Sequence, residues 1–293
     1  MRKSTILREK LAADAIVVLP GAYDALGAKL IEQAGFGQFF TTGFGIAAST
    51  LGVPDIGILT QTEIVERARR IASAVNIPLV ADMDTGYGNP INVLRTVTEC
   101  VHAGIAGIIL EDQEWPKRCG HLEGKRVIRA EDHVQKLRAA VHARGDDDLV
   151  IIARTDARAV TGLDDAIARG IAYRAAGADV VFIEAPRSLD ELQRIRASFP
   201  SEVPLFANMI EDGVTPFLSA RQLQDLGYKM VVYPLSGLFA ATAALRGVYT
   251  TLHRSGITTG AGPMVGLEEF KGVIGLPAYV ALEERFGSAQ AAR

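Results

Sequence analysis

A chain of 293 residues that is 48% hydrophobic and 22% charged supplies a large core, which excludes an intrinsically disordered protein. Its net charge of −3 lacks the basic excess of a nucleic-acid-binding surface. No run approaches the ~20 apolar residues that span a bilayer. Met1-Arg2-Lys3-Ser4 leads into a charged helical pattern, without the apolar stretch of a signal peptide. Two cysteines, Cys100 and Cys119, do not make a disulfide scaffold; the expectation is a reducing compartment, the cytoplasm.

In chain order, Ser4 reads as the N-cap of a short helix carrying Leu7 and Leu11. A rhythm of short apolar runs and amphipathic stretches follows. The runs are Ile16–Leu19, Gln38–Thr42, Pro78–Asp82, Ala106–Glu111, Leu149–Arg154, Asp179–Glu184, Pro204–Asn208 and Met230–Tyr233. Helical patterns lie between them over Ala25–Ala34, Glu63–Ala74, Ile91–Ala103, Ala130–Ala143, Asp164–Ala176, Leu189–Ser198, Ala220–Leu226 and Gly237–His253. Strand runs each followed by a helix predict an α/β fold, a (β/α)8 TIM-type barrel forming one domain over 1–293. The barrel is expected over about 14–254. An open doubly wound sheet would carry a GxGxxG turn after its first strand, and Pro20-Gly21-Ala22-Tyr23 is not one. A further helix, Leu267–Phe286, lies in a C-terminal extension at about 264–287. A closed barrel does not need it, so its apolar face is expected to bury itself on a neighbouring subunit.

Active sites of such barrels lie at the C-terminal ends of the strands. Run two ends in Thr41-Thr42-Gly43-Phe44-Gly45, with Asp55 shortly after. Run three ends in Asp82-Met83-Asp84-Thr85-Gly86-Tyr87-Gly88, and run four in Glu111-Asp112. Runs five, six and seven end in Arg154-Thr155-Asp156, Glu184 and Asn208. Asp82, Asp84 and Glu111, joined at the same rim by Asp55, suit a hard cation: Mg2+, with Mn2+ as the alternative. The Asp-x-Asp spacing would point both side chains to one side of an extended strand. The competing reading is a pair of acids that caps the next helix. Arg154 has the fork that holds a carboxylate bidentately, or else pairs with Asp156 or Glu184. The Thr42-Gly43 turn offers a hydroxyl and N–H groups to a second carboxylate or an enolate oxygen.

The densest chemistry follows run four, in Lys117-Arg118-Cys119-Gly120-His121. Neighbouring cations bias a thiol toward thiolate, and Gly120 allows a tight turn. The plain alternative is a surface loop with a structural cysteine. His102, His133, His142 and His253 fall in helical patterns and read as surface or packing residues.

These rim residues, in this order, resemble the isocitrate lyase/phosphoenolpyruvate mutase superfamily from Pro20-Gly21 to the C-terminal helix. The most specific part is Glu111-Asp112-Gln113 with Lys117-Arg118-Cys119-Gly120-His121, the mark of the carbon–carbon lyase branch. Asp82–Gly88 matches the metal segment, and Thr42-Gly43 the substrate-carboxylate turn. Asn208-Met209-Ile210-Glu211, Thr215-Pro216 and Tyr233-Pro234-Leu235-Ser236 match later signatures. Trp115-Pro116 and Glu123-Gly124-Lys125 are most similar to the 2,3-dimethylmalate lyase, oxaloacetate acetylhydrolase and petal death protein group. Where isocitrate and methylisocitrate lyases carry a tyrosine, this chain has Phe40, which leaves the general base open.

The resemblance implies Mg2+-dependent cleavage of a 2-hydroxy-dicarboxylate, of 2,3-dimethylmalate or 2-alkylmalate type, into a 2-oxo acid and a carboxylate. Alternatives are oxaloacetate hydrolysis to oxalate and acetate, and methylisocitrate or isocitrate cleavage. The implied metal set is Asp82, Asp84, Glu111 and Asp55. Thr42, Gly43, Phe44, Arg154, Glu184, Asn208 and Gly120 would contact substrate. Cys119 would be the proton donor, tuned by Lys117, Arg118 and His121, on a loop that closes as a lid. Pocket size would depend on Phe40, Phe44, Trp115, Met209 and Leu235. The implied assembly is a homotetramer of dimers that exchange the last helix.

Overall fold

The computed structural model describes residues 1–120 and 123–287. Its strands are β1 (Val17–Ala22), β2 (Phe39–Thr41), β3 (Leu79–Asp82), β4 (Gly107–Glu111), β5 (Val150–Thr155), β6 (Val180–Ile183), β7 (Leu205–Asn208) and β8 (Met230–Tyr233). Each pairs in parallel with its sequence neighbours. β8 returns to β1 with Val17 opposite Met230, closing the barrel. All residues of β3 to β6 are buried, which is why they read as unbroken apolar runs rather than as an alternating pattern.

Alternate strand residues divide the core. Leu19, Phe40, Val80, Ile109, Ile152, Phe182, Phe206 and Val232 cluster together as one layer. Their neighbours Phe39, Leu79, Ile108 and Ile151 belong to a second cluster with the helix residues Ile64, Val97 and Leu137. The period of two along a strand separates these two sets.

The helices of the barrel are α1 (Lys3–Ala12), α2 (Ala25–Gln33), α3 (Gly43–Leu51), α4 (Gln61–Ser73), α5 (Pro90–His102), α6 (Ala130–Arg144), α7 (Ala157–Val160), α8 (Leu163–Ala175), α9 (Leu189–Ala197) and α10 (Ala220–Asp225). α1 brings the fully buried Leu7 into the strand layer, and Arg8 pairs with Asp179 at 3.1 Å. The N-cap of α1 is Arg2, so Ser4 lies inside the helix rather than capping it. Thr60 with Glu63, and Asn89 with Asn92, form reciprocal capping boxes that start α4 and α5.

Sequence periodicity missed α3 and α7. α3 carries Gly43 and Gly45, both poor helix formers, and so reads as a loop. It forms because Thr42 caps it, accepting from Phe44 N–H at 3.1 Å, and because Ile46 and Ala47 are buried.

The chain divides into two units, Met1–Leu238 and Phe239–Arg293. α11 (Ser236–Ser255) runs across the boundary, and the second unit continues with α12 (Leu267–Val273) and α13 (Leu276–Phe286). The single helix expected over Leu267–Phe286 is therefore two. Gly275 separates them with φ +79°, a left-handed conformation that ends a helix. No residue of α11, α12 or α13 is buried.

Gly21 in β1 lies so close to Pro234 that a Cβ would overlap the proline carbonyl group. Gly21→Ala is expected to destabilise the barrel by about 1–3 kcal/mol, the usual cost of overpacking. Denaturant unfolding followed by circular dichroism measures it.

Candidate active site

The barrel brings the strand-end residues to one rim. Thr42, Asp55, Asp82, Cys119, Arg154, Glu184 and Asn208 line one side of a cavity of about 40 Å³. Phe40, Phe44, Phe182, Phe206, Ile210 and Leu235 line the apolar remainder. Trp115 and Met209, expected to set the pocket size, do not line it. Trp115 is 45% exposed, and Met209 is buried in a separate core cluster where its sulfur accepts from Leu218 N–H.

The acids converge, with Lys117 among them. The Lys117 ammonium lies 2.7 Å from Asp55 Oδ2 and 2.7 Å from Asp84 Oδ1, with the side chain 2% exposed. Burial alone would lower its pKa. The negative field of Asp84, Asp55, Glu111 and Asp82 more than offsets this and holds it well above the usual lysine range. Lys117, expected beside Cys119, is paired with the acid cluster as its counter-ion. Arg118 points elsewhere. Its side chain is exposed and donates to the Glu123 carbonyl oxygen at 3.1 Å. His121 lies outside the described residues.

β3 ends at Asp82, and Asp84 has φ +47°, so the two acids are not on one face of an extended strand. A turn takes Asp84 to the same rim by another route, its N–H donating to Asp82 Oδ1 at 3.0 Å. Burial first, with Asp82 and Asp55 adding to it and Lys117 opposing, pushes Asp84 up to about 6.

Glu111 is fully buried, and neither of its carboxylate oxygens accepts a hydrogen bond from a described residue. Arg154 Nη1 is its ion-pair partner at 3.2 Å. Burial drives its pKa well above the carboxylate range, against Arg154. The acids Asp55, Asp82, Asp84, Glu111, Asp156 and Glu184 outnumber the cations Lys117 and Arg154. Buried acids with unused oxygens are a donor set that a hard cation satisfies. Among the described residues, no group of three or more Asp, Glu, His or Cys side chains is placed to hold a metal ion by itself. The unused oxygens of Glu111 and the excess of acids fit a cation such as Mg2+, which takes one or two carboxylates and keeps its waters.

Arg154 makes the ion pairs that the sequence offered as one of its two readings. Nε and Nη2 grip the two oxygens of Asp156, each at 3.0 Å, and Nε is 3.6 Å from Glu184. The guanidinium carries five N–H donors, so some remain for a ligand carboxylate. Asn208 donates to both oxygens of Glu184 at 3.3 Å, while its own Oδ1 accepts from no described residue. A Cβ at Gly120 would come within 2.7 Å of Glu184 Cγ, so glycine is required where the loop crosses this pair. Gly43 is similarly tight: its Cβ would lie 3.2 Å from Asp84 and 3.4 Å from Lys117.

Two residues outside the candidate site set support it. Asp156 holds Arg154, the pairing the sequence offered as the alternative to carboxylate binding. Asp112 is fully buried and gathers Thr155 Oγ1 at 2.7 Å, Asp156 N–H at 2.9 Å, Tyr173 OH at 2.7 Å and Arg169 at 3.1 Å. It ties the ends of β4 and β5 to α8, and nothing local distinguishes it from a solvated acid. His133 is a packing residue, as expected. It is edge-on to Tyr173 with centroids 4.6 Å apart, and burial pushes its pKa down to about 3.

A closed parallel barrel with acids, a guanidinium and a thiol at the C-terminal rim defines a barrel enzyme. The phosphoenolpyruvate phosphomutase profile matches residues 7–253, and the chain belongs to the phosphoenolpyruvate mutase/isocitrate lyase superfamily. It is 43% identical to 2,3-dimethylmalate lyase of Eubacterium barkeri, over 98% of this chain and 99% of that one. It is similar to the structure of oxaloacetate acetylhydrolase with 3,3-difluorooxalacetate, with TM-score 0.94, 35% identity and 98% of each chain covered. Phosphonopyruvate hydrolase complexed with oxalate and Mg2+ aligns with TM-score 0.88 and 35% identity, covering 98% of this chain and all of that one. Divalent metal use is general in this superfamily.

Removing Asp112 takes one of the two acids from Arg169, which keeps Asp165 at 2.9 Å, and leaves Thr155 Oγ1, the Asp156 N–H and Tyr173 OH without their buried acceptor. Asp112→Ala is expected to cost about 3–5 kcal/mol, as when one partner of a buried pair is lost. Chemical denaturation of the purified variant measures this loss.

Proposed function

We propose that this enzyme is a carbon–carbon lyase that cleaves a 2-hydroxy-dicarboxylate, of 2,3-dimethylmalate or 2-alkylmalate type, into a 2-oxo acid and a carboxylate. The observation that carries this reading is the placement of Cys119 at a cavity whose other walls are Arg154, Glu184, Asn208 and Asp82. A candidate proton donor and a candidate anion-binding group line one space of mixed polarity. The full-length similarity to 2,3-dimethylmalate lyase supports the substrate class.

Asp82, with Asp55, Asp84 and Glu111 around it, would hold Mg2+ or Mn2+. When bound, the ion polarises the 2-hydroxy acid and lowers the pKa of its hydroxyl. The chain's own residues do the rest. Arg154, fixed by Asp156, grips a substrate carboxylate through its remaining donors. A base removes the hydroxyl proton, and the C2–C3 electron pair moves onto the departing fragment. The N-terminus of α3 at Thr42-Gly43 supplies N–H groups and a positive dipole end where that charge develops. Cys119 then gives its proton to the carbanion as general acid. The apolar wall of Phe44, Ile210 and Leu235 receives the alkyl substituents. With Cys119 and Gly120 lining a cavity of only about 40 Å³, the Lys117–His121 segment acts as a lid that opens for substrate and then excludes water.

A second reading is hydrolysis of oxaloacetate to oxalate and acetate, favoured by the similarity to oxaloacetate acetylhydrolase. Phe40 lines the cavity where tricarboxylate-cleaving relatives would carry a tyrosine, which disfavours isocitrate and methylisocitrate.

The test is a product assay on 2,3-dimethylmalate, 2-methylmalate, methylisocitrate, isocitrate and oxaloacetate. Each is run with Mg2+, with chelator, and with Cys119→Ser. Pyruvate from an alkylmalate is the expected product, falling to background with chelator and at least about a hundredfold with the serine variant. Oxalate from oxaloacetate alone moves the assignment to the hydrolase. No turnover of any acid by folded protein overturns both.

The exposed side chains of α12 and α13, among them Leu276, Tyr279 and Val280, support an assembly in which a second copy covers them, as in helix-exchanged dimers paired into tetramers. Sedimentation velocity should give a tetramer for the full chain and a smaller species after truncation at Gly262. A monomer at micromolar concentration contradicts it. No helix among the described residues is long and apolar enough to cross a membrane. We read the absence of a disulfide at Cys100 and Cys119 among the described residues as the mark of a reducing compartment, the cytoplasm.

A further inference from the structure

Glu111-Asp112-Gln113 contributes an acid to the buried cluster around Arg154 and an acid to the network behind it, which leaves the glutamine without a role. Its side chain is 1% exposed. We propose that Gln113 is the positioning residue for Cys119. Its amide grips the backbone of the residue before the cysteine, accepting from Arg118 N–H at 2.9 Å and donating to the Arg118 carbonyl oxygen at 2.8 Å.

The base of this grip is rigid. Gln113 bridges Val127 in antiparallel fashion, Glu114 N–H donates to Arg126 O at 2.9 Å, and Ile128 N–H donates to Asp112 O at 2.9 Å. Through Asp112 the same backbone is anchored to β5 and α8. Beyond Arg118, Cys119 N–H donates to Asp55 O at 3.2 Å, and Lys125 donates to Gly120 O. The two-point contact therefore sets the direction in which the chain enters Cys119, while Lys117 on the other side is held by Asp55 and Asp84.

The chemistry of the grip is specific to a primary amide of this length. A carboxylate cannot donate to the Arg118 carbonyl, an ammonium cannot accept from its N–H, and asparagine is one methylene short. The contact uses only backbone at 118, which explains why the Arg118 side chain is free to lie at the surface.

The structure also supplies the means of testing this. Trp115, the single tryptophan, lies between Gln113 and the gripped residue and stacks against Tyr87 with ring centroids 5.9 Å apart. Cys119 is partly exposed and Cys100 fully buried, so alkylation reads the loop thiol alone. In the full-length protein, Gln113→Glu and Gln113→Asn are treated with iodoacetamide, and Trp115 emission is recorded with circular dichroism as the fold control.

Cys119 is expected to react about tenfold faster in both variants, the effect of losing one or two modest hydrogen bonds that hold the loop closed, with a changed Trp115 emission. The kinetic arm rests on the reading of Cys119 as proton donor: kcat should fall about tenfold with KM changed less than about threefold, because the proton transfer and not the carboxylate grip is misplaced. Alkylation needs no substrate, so it decides the proposal even if the lyase reading fails. Parental alkylation rates and emission in two folded variants overturn it, as does a rise in KM with unchanged kcat.

Discussion

Lys117 places an ammonium, almost wholly removed from solvent, between Asp55 and Asp84, with Glu111 and Asp82 adding to the negative field. Burying a charge costs several kcal/mol unless it is paired. The acids alone would repel one another, and the lysine alone would lose its proton. Together they give a polar centre that a barrel of apolar strands tolerates. That centre also holds one end of the segment bearing Cys119, so the position of the thiol and the charge state of the acid cluster depend on the same contacts.

A second layer of pairing stands behind the first. Asp112 gathers donors from β5 and α8, Asp156 holds the guanidinium of Arg154 by both oxygens, and Arg154 reaches Glu111 and Glu184. Each acid is used by a cation or by backbone N–H groups, with Glu111 the least satisfied. A group that is kept buried with unused acceptor oxygens is where bound metal and water have most to contribute.

Relatives of this chain carry names for quite different reactions, among them a malate lyase, an oxaloacetate hydrolase and a phosphonate hydrolase, on one scaffold. What they share with this chain is the fold. In this chain, loop residues add a thiol after β4 and the apolar side chains of Phe44, Ile210 and Leu235 to the cavity. A fold of this kind leaves reaction type to the site.

The sequence by itself determined the barrel. Buried parallel strands need continuous apolar runs and each crossover needs an amphipathic helix, so period and composition mark both, with ends mostly within about two residues. It also determined which rim residues were candidates, because each follows directly on a strand and the fold exposes strand ends on one face. Tertiary structure alone decided what those residues touch. Lys117 is near Cys119 in sequence yet pairs with acids from two other loops, since a long side chain on a turning segment follows charge rather than sequence distance. Asp84 reaches the rim through a left-handed turn that no strand period encodes. α3 forms despite two glycines because a cap and a buried face outweigh propensity. Gln113 and Asp112 acquire partners 5 to 61 residues away, and such long-range pairing is set by packing, which local pattern does not carry.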